Sequence, residues 1–119
     1  MIENKKPIKF DLEERTLRFS EEIIDFCKTV PKSIISSPII NQLIRSATSI
    51  GANYMEANNA ASKKDFRNKI FICKKESQET KYWLRLMKKC SEDGKIDALW
   101  QECHEFSLIF QKIISSLNN

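Results

Sequence analysis

Apolar positions in this chain recur at alternating steps of four and three residues, in four separate runs. The first run is Leu12, Thr16, Phe19, Ile23, Phe26 and Val30. The second is Ile40, Leu43, Ala47, Ile50, Tyr54 and Ala57, and the third is Phe66, Ile70, Cys73, Ser77, Thr80, Leu84 and Met87. Leu99, Cys103, Phe106, Phe110, Ile113 and Leu117 make the fourth. A mean step of about 3.5 residues lays each run along one side of a helix, with the spacing of a bundle seam.

Local signals place the helix ends. Asp11 can accept an orphan amide hydrogen at the start of the first helix, with Glu14 three residues on. Pro31 stops that helix, because the residue before proline is pushed out of helical geometry. Ser37 followed by Pro38 fits a second N-cap and first helical position. Asn58 and Asn59 can end the helix in left-handed geometry. Ser62, with Asp65 three residues later, caps the third helix, Gly94 closes it, and Asp97 caps the fourth. The expected helices cover about 12–30, 38–58, 63–90 and 98–116. Residues 1–9, "MIENKKPIK", are polar and aperiodic and are expected to form a flexible N-terminal arm. Residues 10–119 then form a single domain.

Short connections make neighbouring helices antiparallel, and the 3.5-residue period predicts left-handed crossings near 20°. The fold class is therefore all-α, an up-down-up-down antiparallel four-helix bundle. Ala47, Gly51 and Ala52 are small enough to admit a neighbouring backbone, which offsets the roughly 1 kcal/mol that Gly51 costs the helix relative to Ala.

Composition supports this reading. Two Gly, three Pro and 30% charged residues suit long helices rather than many tight turns. No apolar run approaches the roughly 20 residues of a membrane span, so the expected location is cytoplasmic. The four cysteines, Cys27, Cys73, Cys90 and Cys103, are widely spaced, with no C-x-x-C and no histidine pair. They are expected to be reduced core thiols, with no metal site and no cofactor.

Charge changes the picture more. The net value is +4, but residues 63–90 carry ten Lys/Arg against Asp65, Glu76 and Glu79. Residues 10–30 are acidic, at −3. On a helical projection Arg67, Lys74, Lys81, Arg85 and Lys88 fall within about 60° of one another, and Lys63 and Lys64 add charge at the helix start. Spaced cations on a rigid rod can follow a phosphate backbone without reading sequence. A solvated face, or one that meets an acidic protein, carries the same pattern.

Other polar features are weaker. Arg45, Ser49, Asn53 and Glu56 line the edge of the second stripe and need partners on the third helix. Glu76 or Glu79 would serve Arg45, and a Lys or Tyr82 would serve Glu56. Tyr82, Trp83 and Trp100 are interface candidates, as large aromatics beside a seam are enriched where subunits meet. His104 is the only histidine. It has no Arg four to seven residues upstream, which excludes the R-x4-6-H pattern of helical ribonucleases. A histidine phosphotransfer role is a remote alternative. No catalytic constellation is visible, and the chain is not expected to be an enzyme.

These residues carry a resemblance. "RSATSIGANYMEA" followed by "KKDFRNKIFICKKESQETKYWLRLM" resembles the bacterial four-helix-bundle proteins named after reading frames in intervening sequences of large-subunit ribosomal RNA genes. The family pattern is Arg, S-I-x-x-N-x-x-E and a small residue, then a lysine-rich helix with K-E-x-x-E-[ST]-x-x-W-L. Here these are Arg45, Ser49, Ile50, Asn53, Glu56 and Ala57, then Lys75, Glu76, Glu79, Thr80, Trp83 and Leu84. Many members have Gly where Ala57 stands. The resemblance covers roughly residues 10 to 117. It implies a bundle that assembles into a ring-like homopentamer. The accessory variability protein of diversity-generating retroelements is similar to this family, and it is a basic pentamer that binds a reverse transcriptase and nucleic acid.

Two functional expectations follow. The first is a non-enzymatic oligomeric module that binds RNA or DNA along the basic helix. The second is a structural or adaptor oligomer that binds a protein partner, its charges pairing between subunits.

Overall fold

A computed structural model describes residues 8–118, with side chains from Asp11 onward. The chain forms four helices, α1 (Ile8–Thr29), α2 (Ser36–Asn58), α3 (Lys63–Met87) and α4 (Lys95–Leu117). Each packs against the next in chain order, and α1 lies across from α4. Among the described residues there is no strand. No described helix is long and apolar enough to cross a membrane. The expected arm falls outside the described residues as far as position 7, and residues 8 and 9 already belong to α1.

The stripes become the core. All six residues of the first run and all six of the second are buried, as are Ile70, Cys73, Ser77, Thr80, Leu84 and Met87 of α3; Val30 lies just past the end of α1. Phe66 is only partly covered. The buried hydroxyls are satisfied within the bundle. Ser77 donates to the Cys73 carbonyl at 2.8 Å, and Thr80 Oγ1 lies 2.9 Å from Ser46 Oγ and 2.7 Å from the Glu76 carbonyl.

The far end of α4 departs from the expected seam. Ile114 is buried in place of Ile113 and Leu117, and Ile96 joins at the start. Late in α4 a four-residue step, Phe110 to Ile114, replaces the expected three, so the helix keeps its own 3.6-residue period.

Several helix ends also differ from expectation. α2 begins at Ser36, with Ile35 as N-cap and no side-chain cap. Ser37 is therefore not the cap. The preceding turn is closed instead by Ser33 and Ser36, with Ser36 Oγ donating to the Pro31 carbonyl at 2.8 Å and accepting from Ser33 N–H at 2.8 Å. Asn59 ends α2 at φ −108°, and no described residue has positive φ, so the asparagines need no left-handed cap. Ser62 caps α3 as expected, accepting from Asp65 N–H at 3.1 Å. α3 ends at Met87, not residue 90, and is about 38 Å long. Lys88, Lys89 and Cys90 follow in a tighter turn whose amides bond back three residues. α4 begins at Lys95, whose N–H is accepted by Asp93 Oδ1 at 2.9 Å, with Gly94 at its N-cap position. Asp97 is thereby free to act elsewhere.

Gly51 sits where α2 crosses α1. A Cβ there would lie 3.0 Å from Thr16 Oγ1 and 3.2 Å from Thr16 Cβ. Ala47 is buried beside it, whereas Ala52 faces solvent and takes no part in the close approach.

Candidate nucleic-acid interface

α3 is a heptad helix with two distinct polar flanks. Its buried positions leave Arg67, Lys74, Lys81 and Lys88 along one side, seven residues apart. That side faces α4. Arg67 Nη2 donates to Asn118 Oδ1 at 3.0 Å, Lys74 Nζ to Gln111 Oε1 at 2.6 Å and Lys81 Nζ to His104 Nδ1 at 3.1 Å. Lys88 Nζ pairs with Asp97 Oδ1 at 2.7 Å. Each seven-residue step along α3 matches a seven-residue step back along α4, so antiparallel register alone sets the ladder. The rungs are about 10 Å apart.

Acceptor chemistry decides what this ladder can do. Asn118, Gln111 and His104 are uncharged partners, so only the Lys88 rung is neutralised by a carboxylate. Lys81 carries no acceptor, so His104 Nδ1 must accept and its ring proton sits on Nε2. The His104 ring also stacks on Trp100, with centroids 5.1 Å apart and planes 12° from parallel. Lys81 Nζ lies 5.3 Å from the Trp100 centroid. His104 is thus half-buried and engaged on two sides. Arg67 stacks over Phe71 at 5.1 Å, and its Nε is buried without a partner. Arg85 is exposed on the adjoining face, and Lys63 and Lys64 are exposed at the helix start.

The other flank of α3 carries Lys69, Glu76 and Trp83, again seven apart, and faces α2. Here the family-motif residues meet, one pair as expected and one not. Glu56 finds a lysine of α3, Lys69, at 3.1 Å. Arg45 is exposed and, among the described residues, has no ion pair with Glu76 or Glu79. Burial pushes the Glu76 carboxyl up, the neighbouring Ser49 hydroxyl pulls it partly back, and Glu79 pushes it up again. Trp83 Nε1 donates to Glu79 Oε1 at 3.2 Å. Ser49 and Asn53 bond to carbonyls one turn back in their own helix. Tyr82 is exposed and packs edge-on against Trp83 at 5.1 Å. Trp100 lies on α4, remote in sequence from that pair and stacked on His104.

Two features carried no signal in the pattern of residues. Arg15 of α1 grips α4, its Nε 2.7 Å from Glu102 Oε2 and its Nη2 2.6 Å from Glu102 Oε1 and 2.9 Å from Glu105 Oε1. The hydrogen bond with Glu102 raises the guanidinium above the usual arginine range, partly opposed by burial. Lys89, just past the end of α3, lines a pocket with Arg85, Lys88 and Trp100.

The four cysteines are free, three buried and Cys90 half-exposed. Burial pushes Cys27 up to about 11 and Cys73 and Cys103 up to about 12. Such thiols are poor metal ligands and nucleophiles. No group of three or more metal-binding side chains occurs among the described residues.

The solved structure of a protein of unknown function from the S23 ribosomal protein family of Bacteroides thetaiotaomicron is similar to this chain. The two share 29% identity and a TM-score of 0.77, over 90% of this chain and 97% of that one. No curated protein matches. The family model described as 23S rRNA-intervening sequence protein matches residues 9–112, spanning the motif-bearing α2 and α3 and most of the α4 side of the ladder; the chain belongs to that family.

Proposed function

We propose that this protein is a non-catalytic, self-associating module of the cytoplasm that holds RNA or DNA along its α3–α4 flank. The observation that carries this reading is the ladder of four cations at heptad spacing, three of them held by uncharged acceptors. Such bonds fix the side chains at little electrostatic cost and leave most of the positive charge for phosphate oxygens. Arg85, Lys63 and Lys64 extend the same field. A ring-like homopentamer, as the resemblance implies, would raise the net charge to about +20 and make weak contacts multivalent.

The test is a fluorescence-anisotropy titration with a structured ribosomal RNA fragment at 50 and 200 mM salt. Binding is expected to weaken by at least tenfold between the two, in proportion to the phosphates contacted. Replacing Arg67, Lys74, Lys81 and Arg85 with Glu is expected to abolish it while helicity persists. Undiminished binding by that variant overturns the proposal.

A second reading is favoured by a different observation. Asp11, Glu14, Glu22 and Glu102 outnumber Arg15 and Arg18 in the lining of a groove of about 520 Å³ along α1, and Leu17 and Ile24 stay exposed on the same helix. An adaptor oligomer would set this acidic helix against the basic α3 of another copy, or of a protein partner. Phosphotransfer through His104 is the remote alternative. Absence of phosphate uptake from an activated receiver domain removes it.

A further inference from the structure

Where the cationic ladder ends, beside the α3–α4 turn, the flank changes character. Arg85, Lys88, Lys89, Ile96, Asp97 and Trp100 line a pocket of about 410 Å³. That volume lies within the range of about 300–1,000 Å³ typical of small-ligand sites. Asp97 is its one acid, and it is already paired to Lys88 at 2.7 Å. Arg85 and Lys89 are exposed and have no ion pair among the described residues. Lys81, one rung further along, faces the same indole at 5.3 Å. Trp100, one face of which stacks on His104, supplies a flat, polarisable wall.

Two unneutralised cations beside an indole form an unusual set for a merely solvated helix end. Inorganic anions would use the cations and make no use of the indole surface that lines the pocket. An acidic peptide would do the same. A nucleotide uses both, with phosphate on the cations and base on the ring. A base held in a duplex has no free face to offer, so the chemistry selects an unpaired one.

We infer that this pocket takes one unpaired nucleotide of a single-stranded segment, its phosphate on Arg85 and Lys89 and its base against Trp100. The inference rests on the reading of the α3–α4 flank as a phosphate-contacting surface and gives that surface a preference for unpaired strands at its α3–α4 turn.

The protein has two tryptophans, so Trp83→Phe makes Trp100 the sole indole reporter. This variant is titrated with a labelled 12-nucleotide single strand, the matching duplex and inorganic polyphosphate, following label anisotropy and Trp100 emission together. The single strand is expected to quench Trp100 in step with binding, while duplex and polyphosphate bind without quenching. Arg85→Ala/Lys89→Ala, both at exposed positions, is expected to weaken single-strand binding at least tenfold. Trp100→Leu is expected to weaken it by roughly five- to 150-fold, the loss of one stacked base. Trp100→Phe, which keeps a ring, is expected to restore most of it. Binding of the single strand with unchanged Trp100 emission overturns the pocket and leaves the flank standing. Equal quenching by polyphosphate overturns the nucleotide assignment. No binding of any probe at 50 mM salt overturns the flank, and the pocket with it.

Discussion

At the scale of single residues, the α1–α2 crossing turns on one missing methyl. Gly51→Ala would gain about 1 kcal/mol of helix propensity. The new Cβ would stand 3.0 Å from Thr16 Oγ1, and Thr16 is buried with its hydroxyl 2.7 Å from the Leu12 carbonyl. A branched, bonded side chain with no room to turn cannot yield cheaply, and overpacking costs about 1–3 kcal/mol. The net expectation is a loss of about 1 kcal/mol by urea unfolding, part of it recovered by adding Thr16→Ala. An unchanged midpoint would show that the crossing relaxes freely. The cysteines give a second prediction, in pH. Their ordinary value is 9.0, and the fold holds Cys27 near 11 and Cys73 and Cys103 near 12. Between those limits the unfolded chain sheds thiol protons that the folded chain keeps, so stability falls as pH rises above about 9. Burial raises Tyr54 as well and adds to the same slope. Cys73→Ala/Cys103→Ala is expected to flatten the alkaline limb, measured as the change in unfolding midpoint from pH 8 to 11. At pH 8 a thiol reagent is expected to modify Cys90 first.

At the scale of helices, the seams of α1, α2 and α3 were legible because burial follows period, and period is local. The capping of α2 was less so. Ser33, Ser36 and Ser37 are similar candidates, and which hydroxyl closes the turn depends on how the loop folds back on the Pro31 carbonyl. Asp97 shows the same limit from another side. Its position suits a cap, but α4 opens two residues before it with Gly94 at the N-cap, and Asp97 is left to Lys88. The cationic stripe of α3 could be found by projection, yet its neighbours could not. Pairing Lys74 with Gln111 and Lys81 with His104 requires the register of α4, which only packing fixes. Arg15 shows what projection misses altogether. It lies beside a run that pairs mainly with α2, yet it reaches Glu102 and Glu105 and lies 5.2 Å over the Phe106 ring. Phe19 meets the same ring edge-on at 5.4 Å. α1 and α4 are thus joined by long side chains more than by close backbone. Because the Arg15 pair is about a third exposed, Arg15→Gln is expected to cost only about 1 kcal/mol. Its sharper signature is hydrogen exchange, with α1 amides losing protection ahead of those of α2 and α3. Uniform exchange across all four helices would show that aromatic packing alone holds α1.

At the scale of the molecule, the proportions are those of a slab. It measures 46 × 39 × 20 Å with a radius of gyration of 15.4 Å, against about 13.5 Å expected for this length. A flattened bundle exposes more surface per residue, and the exposed set is notably apolar. Leu17 and Ile24 lie on α1, Met55 on α2, and Phe71, Ile72 and Tyr82 on α3. Scattered apolar residues need no explanation, but Ile72 lies one turn from Glu76 on the α2-facing flank of α3, and Arg45 of α2 has no ion pair among the described residues. A second copy placed there could give Arg45 a carboxylate and cover the apolar side chains at once. Assembly is then expected to depend on both hydrophobic and ionic terms, which respond to salt in opposite directions. Light scattering at 0.1 and 1 M salt separates them. If acidic α1 against basic α3 holds the copies together, the mass falls toward the 13.9 kDa monomer at 1 M. If the α2–α3 edge does, the mass survives 1 M salt but drops with Ile72→Glu or Tyr82→Glu. The second outcome leaves the α3–α4 flank open in the oligomer, as phosphate binding along the ladder requires. The first would bury that flank between copies and make assembly and nucleic-acid binding compete for the same lysines.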